Sequence, residues 1–113
     1  PRHFEPIVEG MWRGVNVGGT SMLARLEGLD VCGKTGTAEN PRGRDHSTFL
    51  SFAPKDNPKI AISVYVENGG FGASAALPIA SLLEEYYLTD TIRRPVLLDY
   101  VRNMTINYPA YDR

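Results

Sequence analysis

The chain has 113 residues, 42% of them hydrophobic and 22% charged, enough for one compact core and too few for two independent domains. A net charge of −1 supplies no basic field to hold nucleic acid or anionic lipid, so neither is an expected partner. The single cysteine, Cys32, excludes an internal disulfide, and His3 and His46 lack ligand spacing, so no metal or other cofactor is expected.

No apolar run approaches the ~20 residues of a spanning helix, and the chain starts at Pro1 without a leader pattern. It reads as a piece of a longer protein, itself without membrane contact.

From the N-terminus, Phe4, Ile7, Val8, Met11, Trp12 and Val15 fall at the spacing of one buried stripe, which predicts an amphipathic helix with Trp12 in the core. Gly18-Gly19 ends it. Thr20 or Ser21 can cap a short second helix carrying Met22, Leu23 and Leu26, which Gly28 breaks. Leu29 to Glu39 reads as a strand, and the Pro, Gly and Asn of residues 40–45 mark a turn. Ser47 to Ala53 is a second strand, Pro54 to Pro58 closes a hairpin, and Lys59 to Val66 is a third strand.

In that third strand Ile60, Ile62, Val64 and Val66 alternate with Ala61, Ser63 and Tyr65, so both faces are expected to be covered at least partly, by helices. Residues 67–72 form a glycine-rich loop with no lysine in phosphate-loop spacing, which favours a tight turn over a nucleotide site. Ala73 to Leu88 predicts a long helix whose inner stripe is Ile79, Leu82, Leu83 and Tyr86. Val96 to Val101 suggests another helical turn, and Asn103 to Arg113 is expected to trail along the surface. The sum is an α+β chain, a small antiparallel sheet packed by helices.

The chemistry concentrates on the first strand. Side chains alternate along it, so Lys34 and Gly36 point one way and Thr35 and Thr37 the other, within roughly 10 Å of backbone. Lys34 brings a compact charge suited to a carboxylate or to a hydroxyl whose proton must move. Gly36 lets another backbone approach. The threonine hydroxyls can grip a carboxylate, and a strand edge can hold an extended peptide by strand addition. The chemistry is that of a peptide acyl-transfer site. Cys32 reads as a buried small hydrophobe, and Asp45-His46 as a turn cap and strand start rather than an acid–base pair.

Lys-Thr-Gly is a signature of penicillin-binding proteins and serine β-lactamases. With it, Glu9-Gly10-Met11, Gly19-Thr20, Gly33-Lys34-Thr35-Gly36-Thr37-Ala38-Glu39 and Phe52-Ala53-Pro54, in that order, resemble the C-terminal part of the transpeptidase domain of class B penicillin-binding proteins. Asp45-His46 and Val66-Glu67-Asn68-Gly69-Gly70 with Gly72 look most like the elongation-specific branch, penicillin-binding protein 2. The resemblance runs from about residue 4 to 88. It departs at Thr48, where the family often has an aromatic residue, and at Glu39, where it more often has Gln.

The resemblance implies a serine-type D,D-transpeptidase that cross-links peptidoglycan stem peptides through an acyl-enzyme, with residues 1–92 its C-terminal subdomain and 93–113 a C-terminal tail. It implies that Lys34 supports proton movement and that Thr35, Gly36 and Thr37 bind the D-Ala-D-Ala terminus or a β-lactam antibiotic, the N–H of Thr37 completing an oxyanion hole. The family's Ser-x-x-Lys and Ser-x-Asn motifs are absent here: no serine has a lysine three residues on. The piece should therefore be inactive alone. By the same resemblance, the parent is anchored in the inner membrane, works on its periplasmic side and meets the cell-elongation machinery. Two other readings stay open, a non-catalytic ligand-binding or sensor module and part of a serine β-lactamase or D,D-carboxypeptidase.

Overall fold

A computed structural model describes residues 2–106. Helix α1 spans Phe4–Asn16, a 3-10 turn Met22–Ala24, strand β1 Cys32–Ala38, β2 His46–Ala53, β3 Ile60–Val66, helix α2 Ala76–Thr89 and helix α3 Pro95–Arg102. The three strands form one antiparallel sheet in the order β1-β2-β3, with β1 at an edge. The fold is α+β, a three-stranded sheet with its helices.

The pairing register sets the two faces. Lys34 lies opposite Leu50, which lies opposite Ser63, while Thr35, Phe49 and Val64 align on the other face. The second face carries the core: Phe49 is 1% exposed and packs with Val15, Val31, Leu77 and Ala80, with Ile62 and Val64 against them. A Cβ on Gly33 would come within 2.6 Å of the Phe49 ring, so this glycine makes room for the core aromatic.

The face bearing Lys34 is different. Leu50 and Tyr65 are more than half exposed and Ala61 and Ser63 are exposed, while Cys32 on the same face is fully buried, so this face is covered only in part. In β3 the Ile60–Val66 residues are half-buried and their alternates exposed, because α2 packs on that side alone.

Three further elements depart from the sequence reading. β1 starts at Cys32 rather than Leu29, since Asp30 adopts a left-handed backbone (φ 46°) and its carbonyl accepts a bond from the Lys55 N–H. Trp12 is half-buried and not core: its indole N–H donates to Asp30 Oδ1 at 3.2 Å, and Lys55 Nζ lies 5.3 Å above its ring. A buried indole needs a partner for its N–H, and here that partner lies at the surface. Only the last turn of α1, at Val15, is fully buried; Phe4 and Ile7 are exposed.

Helix α2 begins at Ala76, and its buried face is rotated from the expected stripe. Leu77, Ala80, Ser81, Leu82, Glu84 and Glu85 are buried, while Leu83 and Tyr86 are exposed. Glu85 pairs with Arg94 at 3.3 Å, and Arg94 also donates to Ser81 Oγ and to the Leu23 carbonyl, which ties the start of α3 onto α2. The trailing segment expected from residue 103 reaches 107–113, outside the described residues.

Candidate functional site

β1 is an edge strand, so one row of its backbone groups has no strand partner. Lys34 is exposed, and its ammonium donates to the Thr35 carbonyl at 2.7 Å. Thr37 is exposed as well. Thr35, half-buried on the opposite face, shares a 3.3 Å hydrogen bond with the Thr20 hydroxyl, so the loop after α1 steadies this side of the strand.

Gly36 is tightly enclosed. A Cβ there would collide with the Thr48 hydroxyl across the sheet. From the loop before α2, Gly72 presses on the same spot: a Cβ on it would lie 2.6 Å from the Thr48 carbonyl and 2.7 and 2.9 Å from Gly36 backbone atoms. Gly72 thus allows the loop to seat directly on the β1 and β2 backbone, while Gly36 makes room for the Thr48 hydroxyl on the Lys34 face.

That loop is pinned at its base. Asn68, 2% exposed with φ 57°, donates its N–H to His46 Nδ1 at 3.0 Å, and its Oδ1 accepts from Asn40 at 2.8 Å. Asp45 Oδ1 accepts the Asn40 N–H, and the Asp45 carbonyl accepts the Gly70 N–H. Asp45 and His46 therefore sit as a turn cap and strand start, as their sequence context suggested.

A shallow pocket of about 300 Å³ opens on the Lys34 face, lined by Lys34, Gly36, Thr48, Leu50 and Ser63 among others. A groove of about 710 Å³, lined by residues that include Pro78, Arg94, Val96 and Tyr100, has no β1 residue in its wall. Ser63 is the serine sharing the Lys34 face, but β2 lies between them, so two strand spacings, roughly 10 Å, separate the backbones. Ser21, Ser47, Ser51 and Ser81 are buried. Among the described residues no serine is hydrogen-bonded to Lys34, and no three His, Cys, Asp or Glu residues come together as a metal site.

Behind β1 lies a feature the sequence reading missed. Ser51 Oγ is 2.9 Å from the Cys32 carbonyl and 2.7 Å from Oε2 of Glu84, which is 1% exposed. Among the described residues Glu84 Oε1 has no partner, and burial pushes the carboxyl up to about 7, opposed by the Ser51 contact. Cys32 is fully buried, and burial pushes its thiol up to about 11. Two adjacent glutamates in an otherwise uncharged helix were the available signal.

Chemically, the edge offers an ammonium, hydroxyls and unpaired backbone groups along an extended strand, suited to an extended peptide with a carboxylate end. A family model for the penicillin-binding protein transpeptidase domain matches residues 1–83. The chain is 35% identical to peptidoglycan D,D-transpeptidase MrdA of Haemophilus influenzae, over 79% of this chain and 16% of that protein. It is 36% identical to MrdA of Acinetobacter baumannii, over 69% and 14% respectively. Among solved structures it is similar to Pseudomonas aeruginosa PBP2 in complex with WCK 5153, with TM-score 0.64, 38% identity and coverage of 74% of this chain and 19% of that one. It is also similar to penicillin-binding protein A from M. tuberculosis as a ceftriaxone acyl-enzyme complex, with TM-score 0.63, 33% identity and coverage of 73% and 20%. The chain spans about a sixth of the length of these curated relatives.

Proposed function

The chain belongs to the penicillin-binding protein transpeptidase family, and from that premise we propose that it is the C-terminal wall of the active site of a peptidoglycan D,D-transpeptidase of the elongation-specific type. The parent protein forms a serine acyl-enzyme with a stem peptide ending in D-Ala-D-Ala, or with a β-lactam, and its nucleophile lies on another segment. Residues 1–92 are the subdomain and 93–113 its C-terminal tail. The parent is anchored in the inner membrane, acts on its periplasmic side and works with the cell-elongation machinery.

In this reading Lys34 assists proton movement near the nucleophile and attracts the ligand carboxylate. Thr35 and Thr37 hydrogen-bond that carboxylate, Gly36 leaves room for it, and the Thr37 N–H faces the developing oxyanion. One observation carries the proposal: Lys34 and Thr37 stand exposed on an edge strand, on a sheet whose Lys34 face is exposed at Leu50, Ser63 and Tyr65. A bare face with Leu50 and Tyr65 half exposed suits the remainder of a larger domain closing over it.

Fluorescent penicillin tests it. The full-length protein should be labelled covalently and the 113-residue chain should not. Labelling of the chain alone, or none of the full-length protein, would overturn the proposal.

A further inference from the structure

Ser51 has one hydroxyl proton and two acceptors within hydrogen-bond distance, the Cys32 carbonyl at 2.9 Å and Glu84 Oε2 at 2.7 Å. It can donate to only one of them. If Glu84 were a carboxylate, it would hold a buried charge beside a competing carbonyl, with Oε1 unpartnered and no ion pair among the described residues. A protonated Glu84 removes the conflict: its Oε2–H donates to Ser51 Oγ, and Ser51 donates to the Cys32 carbonyl.

We propose that Glu84 is a positioning residue for the Lys34 edge, a neutral acid on α2 that acts through Ser51 to hold β1 two residues before Lys34. Among the described residues no charged group is paired with Glu84. On β1 the titratable neighbour is the Cys32 thiol, which burial keeps protonated; on α2, Glu85 is turned to Arg94. β2 and β3 present Phe49, Ile62 and Val64 on this face. Burial pushes the Glu84 carboxyl up to about 7, so the device releases as the acid ionises above neutrality.

The test uses the full-length protein as wild type, Glu84→Gln and Glu84→Ala. A Gln amide can donate to Ser51 as the acid does, without titrating. Peptides spanning β1 should lose about tenfold in hydrogen-exchange protection in the wild type between about pH 5.5 and about pH 8.5, while Glu84→Gln stays flat and Glu84→Ala is loose throughout. Wild-type protection at β1 that does not change with pH would overturn the proposal, whether or not the variants fold. The link to chemistry rests on the acyl-enzyme reading: the ratio of penicillin acylation rates, wild type over Glu84→Gln, should fall several-fold over the same range. A constant ratio would remove the positioning role, whereas absence of acylation in the wild type would sink the functional reading and leave the exchange result to decide the β1 link.

Discussion

Replacing Gly72 by alanine probes the seat of the loop on the ligand-facing strand. The new methyl group would meet the Thr48 carbonyl oxygen at 2.6 Å and the Gly36 backbone at 2.7 and 2.9 Å. All three neighbours are backbone atoms in a sheet ladder, so they cannot swing aside as a side-chain tip would. Overpacking of this kind costs about 1–3 kcal/mol. Loss of unfolded-state entropy on Gly→Ala returns about 0.4–1 kcal/mol, because the φ of Gly72 is not in the left-handed range. The net is about 1–2 kcal/mol, or a fall in Tm of roughly 5–15 °C for a domain of this size. Thermal unfolding followed by circular dichroism reads it, with Gly10→Ala as the control. Gly10 lies in α1 with nothing within 4 Å of a built Cβ. That substitution should raise stability by up to about 1 kcal/mol, through helix propensity alone. Equal melting temperatures for the two variants would refute the claim that loop and β1 backbone are in contact.

The buried acid makes stability depend on pH in a defined direction. The Glu84 carboxyl lies at about 7 in the fold against 4.5 in the unfolded chain, so its stabilisation is complete below 4.5 and lost as pH rises through about 7. The change is worth about 3 kcal/mol at 1.36 kcal/mol per unit, and urea midpoints should fall over that window in the wild type but not in Glu84→Gln. Cys32, fully buried and with its thiol pushed up to about 11, should resist a thiol reagent such as Ellman's in the native state and react fully in denaturant; fast native labelling would contradict its burial. Truncating Phe49 to alanine empties the centre of the core and should cost about 3–5 kcal/mol, measured by denaturant titration, with a smaller loss arguing that the sheet and α2 do not meet through this ring.

Element types were legible where one face of a segment is repeated by chemistry. The alternation of Ile60, Ile62, Val64 and Val66 fixes β3 to within a residue, and Asn40 to Asp45 marks the turn between β1 and β2 by backbone requirements alone. The alternation along Lys34 to Thr37, and with it the split of ammonium and hydroxyls between faces, follows from the strand period and holds in the register with β2. Cys32 is buried, as its place in an apolar strand start implied.

What was not legible depends on partners distant in sequence. Helix α2 is apolar nearly all round, so periodicity gives it no unique inner face, and Ser51 and Arg94, which meet Glu84 and Glu85, lie outside the helix. Trp12 follows the stripe of α1, yet Asp30 and Lys55 draw it to the surface, and both belong to loops whose course no local pattern fixes. How far the second sheet face is covered was equally illegible, because it depends on whether alternates such as Tyr65 and Ala61 meet a helix. Here Ala61, Ser63 and Tyr65 share their exposed face with Lys34.

The central claim is that Lys34 and its strand form one wall of an acyl-enzyme site. Its most direct test is the second-order rate of covalent labelling by fluorescent penicillin for full-length wild type and Lys34→Ala, with unfolding curves to show that both are folded. Loss of the ammonium should slow acylation by about a hundredfold or more while leaving the melting temperature nearly unchanged, because Lys34 is exposed and, among the described residues, its ammonium bonds only to the neighbouring Thr35 carbonyl. Acylation of the folded variant at the wild-type rate would contradict the account.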